Sequence, residues 1–180
     1  MPQHFQTWSA YQLFAREVKA NYRFLHEEKV RQFLNAVAET SVSRCEVIKA
    51  DRPLWRAQVG YSPREFDVQG DIIEEPYPFS AERMKPRRGE AVEGRANPRG
   101  IPYLYTASDA LTAISEVRPS LGDFVTVARL LPQRDLRVVV CVDGHDEVEL
   151  PPFEAADAAE CERRVWKDIG RAFSSRLLRK

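Results

Sequence analysis

One stretch of the chain, residues 94–119, brings together three side-chain types that bind or transform ligands. Arg95 lies in a loop marked by glycines and a proline, Tyr105 in an apolar and aromatic run, and Glu116 in a segment with helical periodicity. An arginine can hold a phosphate with two donors, a tyrosine ring can stack on a ligand, and a glutamate supplies negative charge. Taken singly, each is more often a solvated or packing residue. A functional role therefore depends on the elements that position them together.

The elements predicted for this stretch are a loop, a short strand and a helix. Residues 94–100 form the loop, and residues 101–106 predict a strand because apolar, aromatic and β-branched residues follow the loop signals. Ser108 is the predicted N-cap, with Asp109 in the first helical turn. Four apolar residues recur on one helical face, and a proline follows them: Ala110, Ala113, Ile114 and Val117. Glu116 then lies at the margin of the buried face.

A second predicted strand, residues 54–61, carries a further arginine. Its two-residue period places the aromatic side toward the core: Trp55, Ala57, Val59 and Tyr61. Arg56 lies on the opposite face, where it is either solvated or lines a cleft. Residues 62–93 contain four prolines with charges between them. They predict an irregular excursion, and long loops of this kind are usually functional or mobile.

The remaining chain predicts the other helices and strands of an α+β protein. Residues 8–40 lack glycine and proline and predict two helices or one bent helix, whose aromatic stripe packs on the domain or serves an oligomer or partner. Three strands are predicted, the last of them central and buried: 45–48, 124–131 and 136–142. A final helix spans residues 155–173. We therefore divide the chain into an N-terminal helical extension, 1–44, and a second domain, 45–180.

Composition excludes several classes of function. Lys and Arg number 27 against 27 Asp and Glu, so the chain is formally neutral and lacks the basic surplus typical of nucleic-acid binding. Three cysteines and three histidines are scattered without a paired motif, which argues against a disulfide framework and against a metal site. No 18-residue apolar run and no signal-peptide pattern is present, so no membrane association is predicted and the cytoplasm is the predicted location.

These motifs together resemble the signature of the RES domain family, toxins that consume NAD+. The resemblance is carried by a Gly-Arg-x-Asn-Pro loop, a strand ending in tyrosine, a helix with a glutamate and an upstream aromatic-arginine strand: residues 94–98, 104–107, 113–117 and 54–57. It covers residues 54–142 well and the flanks less well. One departure is Ala57, where some relatives carry a second aromatic residue.

The resemblance implies a fold and a set of site residues. The fold is α+β, with small mixed sheets around a cleft, similar to ADP-ribosyltransferases. Arg56 and Arg95 would hold the dinucleotide, Tyr105 would hold the nicotinamide ring, and Glu116 would stabilise the oxocarbenium-like transition state at the ribose. The serine of the family signature is assigned to Ser174, at the end of the last predicted helix, with a further serine beside it.

The function implied by the resemblance is cleavage of the nicotinamide–ribose bond of NAD+, by phosphorolysis or hydrolysis, in a toxin restrained by an antitoxin protein. Its substrates would be NAD+ and, for phosphorolysis, phosphate, with no metal. Transfer of ADP-ribose to a protein is an alternative, and so is a binding module that keeps the fold without turnover. Most relatives continue into a further helix and strand, so the terminal Leu177 and Leu178 predict either a shortened domain or the ordered part of a longer chain.

Overall fold

The computed structural model describes residues 4–20, 28–87, 89–91, 93–94, 96–142 and 157–174. In these ranges the chain has four α-helices: α1 Ala10–Ala20, α2 Glu28–Ser41, α3 Ala110–Val117 and α4 Ala158–Ser174. The same ranges contain six strands: β1 Cys45–Ile48, β2 Leu54–Val59, β3 Ser62–Val68, β4 Asp71–Tyr77, β5 Val125–Leu130 and β6 Leu136–Val139. The strands pair as β1–β6, β2–β5 and β3–β4. The predicted α+β class is confirmed, whereas the likeness to ADP-ribosyltransferases stays a prediction.

The chain divides into two units. The first, here called the helical unit, comprises residues 1–47 and 137–180, and the second, the central unit, comprises residues 48–136. Helices α1, α2 and α4 share the core of the helical unit, so the predicted N-terminal extension packs against α4, the last described helix. The boundary predicted at residue 44 stays a prediction.

The core of the helical unit is built on Trp166 of α4, which is 1% exposed. Its indole Nε1 donates a hydrogen bond to Thr40 Oγ1 at 3.1 Å, and Thr40 Oγ1 donates to the carbonyl of Ala36 at 2.7 Å. The Arg44 guanidinium lies 4.7 Å from the indole centroid, within cation–π distance. Gly170 allows α4 to approach the chain after β6, because a Cβ there would lie 2.2 Å from the Cys141 carbonyl oxygen.

The central unit contains the antiparallel β2–β5 pair, on which α3 packs. Ala57 is buried, as the period predicts. The same face is exposed at the C-terminal end of β2 and just beyond it, because Val59 is 45% and Tyr61 43% exposed. The prediction that the whole aromatic side faces the core is therefore wrong at this end, where Tyr61 instead makes an edge contact with Phe124 at 4.9 Å.

The segment predicted to be irregular, residues 62–93, begins with the β3–β4 hairpin instead. Pro63 and Pro76 lie opposite each other in its register, and Gln69 and Gly70 form the two-residue turn with positive φ values of 59° and 96°. Such a turn matches the twist of an antiparallel ribbon. Prolines argued for a loop, but a two-stranded ribbon has two open edges that tolerate a missing N–H donor.

Two other predicted strands need correction. Residues 101–106 form no regular strand, and the backbone is bridged to β2 only at Ala107, opposite Trp55. The strand predicted over residues 136–142 ends at Val139 and pairs only with β1 among the described strands. Its side chains alternate between half-buried and exposed, so it is not a central strand. The strand predicted over residues 45–48 is found with those ends, and the other predicted strands and helices are found with ends shifted by a few residues. Residues 21–27, 155–156 and 177–178 lie outside the described ranges.

Candidate active site

Glu116 lies on α3, a helix whose start is fixed by a side-chain cap. The cap is Asp109 rather than the predicted Ser108, because the Asp109 carboxylate accepts hydrogen bonds from Thr112 N and Thr112 Oγ1, each at 2.8 Å. The bonds from Thr112 lower the pKa of Asp109, as expected for a carboxylate that accepts at a helix N-terminus. The capped helix turns Ala113 inward and leaves Glu116 exposed.

Glu116 borders a shallow surface depression of about 260 Å³ on α3. The depression is lined by residues of the same helix and its C-cap: Leu111, Thr112, Ser115, Glu116 and Arg118. Arg118 ends the helix in the left-handed conformation, with φ of 48°. Glu116 is thus an exposed residue next to the buried face of α3, as its spacing predicts, and its role in a site stays a prediction.

Arg56 lies on β2 and is half-buried. Its Nη1 donates to the Tyr105 carbonyl oxygen at 3.4 Å. Its Nε is buried, and among the described residues no group accepts a hydrogen bond from it. Burial lowers the pKa of Arg56, and the positive charge of Arg83 lowers it further. A guanidinium remains charged in proteins, so Arg56 is a desolvated cation with unused hydrogen-bonding capacity.

Tyr105 closes the Gly-Arg-x-Asn loop through its hydroxyl. The hydroxyl donates to Asn97 Oδ1 at 2.7 Å and accepts from the Ala96 N–H at 3.1 Å. Asn97 is buried, and its Nδ2 donates to the carbonyls of Pro98 and Ile101 at 3.1 and 3.0 Å. Gly94 leaves room for these groups, because a Cβ there would lie 2.5 Å from Asn97 Oδ1 and 2.6 Å from the Tyr105 hydroxyl.

The described part of the central unit thus brings Arg56, Tyr105 and the Gly94–Asn97 turn into one neighbourhood. The Trp55–Ala107 bridge places the chain after Tyr105 beside β2, through bonds of 2.9 and 2.8 Å. Arg95 lies outside the described residues, so its predicted role is untested. The sequence analysis assigns no role to Asn97. Its position as a polar residue between a loop glycine and a proline is the pattern that could have indicated one.

Ser174, the predicted serine of the site, is the last residue of α4. Its Oγ donates to the Gly170 carbonyl at 3.0 Å, a bond to the preceding helical turn. Ser174 belongs to the helical unit, whereas Arg56, Tyr105 and Glu116 belong to the central unit. Its participation in the same site stays a prediction.

Comparison with known families now identifies the chain. Residues 53–179 match the RES domain. The chain belongs to the RES domain family. The RES match begins one residue before β2 and takes in Arg56, Tyr105, Glu116 and Ser174. Comparisons with curated proteins and with solved structures give no significant match.

Two features are absent from the described part of this RES protein. Within the described ranges, no group of three or more His, Cys, Asp or Glu side chains is placed to hold a metal ion. No described helix is both long enough and apolar enough to cross a membrane.

The turn closed by Tyr105 makes a prediction for Gly94. Gly94→Ala is expected to destabilise the protein by about 1–3 kcal/mol, the usual cost of overpacking, because the new Cβ collides with Asn97 and Tyr105. Urea denaturation of wild type and variant measures this cost.

Tyr105→Phe is the matched comparison, since it loses the hydroxyl bonds without adding an atom. In the Tyr105→Phe background, Gly94→Ala should remain costly because the Asn97 Oδ1 collision persists. An unchanged unfolding midpoint in Gly94→Ala would contradict the described turn.

Proposed function

We propose that this RES domain protein cleaves the nicotinamide–ribose bond of NAD+ and transfers the ADP-ribosyl group to phosphate or water. The observation that carries the proposal is the desolvated Arg56 guanidinium on β2, the strand against which the Glu116 helix packs. A cation with unused donors suits a dinucleotide phosphate. An accessible carboxylate on the adjoining helix suits the positive charge that develops at the ribose.

In the proposed reaction the C1′–N1 bond breaks and its electron pair moves to the pyridinium nitrogen. Nicotinamide therefore leaves as a neutral molecule without needing a proton. Glu116 stabilises the oxocarbenium-like ribose, as a carboxylate does in glycoside hydrolysis. Phosphate or water then attacks C1′, giving ADP-ribose 1″-phosphate or, after loss of a proton, ADP-ribose.

The other predicted residues take supporting roles in this proposal. Arg56 and Arg95 hold the pyrophosphate, and Ser174 completes the site. The Tyr105 ring holds the nicotinamide, which is compatible with its hydroxyl being used in the Gly94–Asn97 turn, because the residue is still 44% exposed. These assignments rest on the family signature and on the neighbourhood of Arg56 and Tyr105.

We further propose that the protein acts in the cytoplasm as a toxin restrained by an antitoxin protein. The β3–β4 hairpin supports a protein partner, because nearly every one of its residues is exposed. Several exposed hairpin side chains are large and apolar: Phe66, Val68, Ile72, Ile73 and Tyr77. Exposed apolar surface of this kind often marks an interaction site.

The direct test is to incubate the purified protein with NAD+, with and without phosphate, and to identify the products by mass spectrometry. Free nicotinamide with ADP-ribose 1″-phosphate indicates phosphorolysis, and free nicotinamide with ADP-ribose indicates hydrolysis. Intact NAD+ under both conditions, with a folded protein, would refute the proposed function.

The role of Arg56 makes a separate prediction. Arg56→Ala is expected to weaken NAD+ binding by about 1.5–3 kcal/mol, the contribution of a charge-assisted hydrogen bond. Arg56→Lys should retain only part of the lost binding free energy, because an ammonium lacks the planar, two-donor geometry of a guanidinium. Isothermal titration calorimetry measures both affinities.

The matched control for Arg56 is Arg129→Ala. Arg129 lies opposite Trp55 in the β2–β5 register, so it projects from the other face of the same strand pair. The Arg129→Ala substitution removes the same charge as Arg56→Ala from the same unit. Equal NAD+ affinity in wild type and Arg56→Ala would remove Arg56 from the binding site.

A further inference from the structure

The face of β2 that carries Arg56 is joined to the segment that follows the hairpin. Arg56 and Gln58 share this face with their register partners Ala128 and Thr126 on β5. Thr126 is buried, and its Oγ1 accepts from the Phe79 N–H at 3.2 Å and donates to the Gly60 carbonyl at 2.8 Å. The chain around Phe79 is therefore anchored on the Arg56 face of the strand pair.

This anchored segment carries Arg83. The Arg83 guanidinium carbon lies 5.2 Å from the centroid of the Phe79 ring, within cation–π distance. The backbone at Arg83 is held in a turn. Ser80 Oγ accepts from the Arg83 N–H at 3.3 Å, and the Ser80 carbonyl accepts from the Met84 N–H at 3.0 Å. Met84 is 2% exposed, so the turn is fixed by a buried side chain as well as by hydrogen bonds.

Arg83 is carried by the segment that is bonded to Thr126, the register partner of Gln58 on the Arg56 face, and its charge contributes to the lowered pKa of Arg56. Within the described ranges, neither arginine forms an ion pair with a carboxylate. Two like charges on one face, one of them partly desolvated, repel each other, and an anion bound between them would offset this repulsion. The arrangement is therefore suited to a ligand with negative charge.

The polar groups around Arg56 indicate what kind of anion fits. Arg56 Nε is a buried donor without an acceptor, and Gln58 Oε1 is a buried acceptor without a donor among the described residues. A phosphate group offers several oxygens to a guanidinium fork. A P–OH or a neighbouring ribose hydroxyl would in turn donate the hydrogen bond that Gln58 Oε1 can accept.

We propose that Arg83 and Arg56 together form a subsite for a phosphoryl oxyanion, with Arg83 supplied by the segment after the hairpin. The inference rests on the proposed function for the identity of the ligand. Two sources share this chemistry: the pyrophosphate of NAD+, and the free phosphate that accepts the ADP-ribosyl group. Arg83 lies outside the RES signature residues, so only the anchoring of its segment brings it to Arg56.

The experiment compares wild type, Arg83→Ala and Arg83→Lys with the control Arg129→Ala. Calorimetry measures the affinity for inorganic phosphate and for ADP-ribose, neither of which requires turnover. We expect Arg83→Ala to weaken one of the two about 10- to 100-fold, the fold-change expected for a lost charge-assisted hydrogen bond. Arg83→Lys should recover part of the affinity, and Arg129→Ala should change it little.

The pattern of losses identifies the source of the anion. A loss confined to inorganic phosphate assigns the subsite to the attacking phosphate, and a loss for ADP-ribose assigns it to the pyrophosphate. Unchanged affinity for both, or an equal loss in Arg129→Ala, would overturn the proposal. Because binding is measured apart from turnover, a protein that binds these anions without cleaving NAD+ would refute the proposed function and leave the subsite standing.

Discussion

Replacing Glu116 by glutamine is expected to slow NAD+ cleavage about 10²- to 10³-fold, the usual cost of losing one electrostatic contact to a transition state. The amide keeps the size of the side chain but not its charge, so the positively charged ribose loses its stabilising partner. Glu116 is exposed on α3, and its replacement should leave the unfolding midpoint nearly unchanged. Initial rates of nicotinamide release, together with thermal unfolding, measure the two effects separately.

A matched control for Glu116→Gln is Glu65→Gln, which removes the same charge from an exposed position on β3. The control should retain the wild-type rate. Expression of the wild-type chain and of Glu65→Gln should arrest growth, whereas expression of Glu116→Gln should not. An undiminished rate of nicotinamide release by Glu116→Gln would exclude Glu116 from the mechanism.

Trp166→Ala is expected to destabilise the helical unit by about 3–5 kcal/mol, because a fully buried aromatic side chain leaves a large cavity when truncated. The variant also loses the indole bond to Thr40 and the contact with the Arg44 guanidinium. Such a loss is a large fraction of the ~5–15 kcal/mol that stabilises most proteins. Guanidinium denaturation followed by tryptophan fluorescence and circular dichroism measures the change.

Arg171→Ala provides the comparison on the same helix. Arg171 is exposed and pairs with Asp168 at 3.6 Å, so its loss should cost no more than about 1 kcal/mol, as for surface ion pairs. Trp166→Phe should cost less than Trp166→Ala, because it keeps most of the apolar volume. If Trp166→Ala unfolds at the same denaturant concentration as Arg171→Ala, the described core of the helical unit is wrong.

The sequence by itself determined the elements whose pattern is local. The period of apolar residues in α3 placed Ala113 inside and Glu116 at the margin, because a helix brings together residues three and four positions apart. In the same way, Cys161, Val165 and Ile169 recur at helical spacing in α4, and all three are buried. The family signature could also be read directly, since its motifs occur at short spacings along the chain.

Strand pairing was decided by the tertiary structure, because a strand depends on a distant partner. Residues 101–106 have strand-like composition but are bridged to β2 only at Ala107, and β6 pairs only with β1 among the described strands. The hairpin was missed for the opposite reason. Each of its prolines, taken alone, argues against a strand. The register that places Pro63 opposite Pro76 makes both prolines compatible with a two-stranded ribbon.

The tertiary structure also decided which polar groups share an environment. Arg56 could be placed on one face of a strand from its period, but its burial, the unpaired Nε and the nearby charge of Arg83 could not. The bond between Phe79 and Thr126 anchors on β5 a segment that is distant in sequence and carries Arg83. Periodicity predicts on which face of its own helix or strand a residue lies. Desolvation and the proximity of charges depend on which other segments of the chain pack against that face.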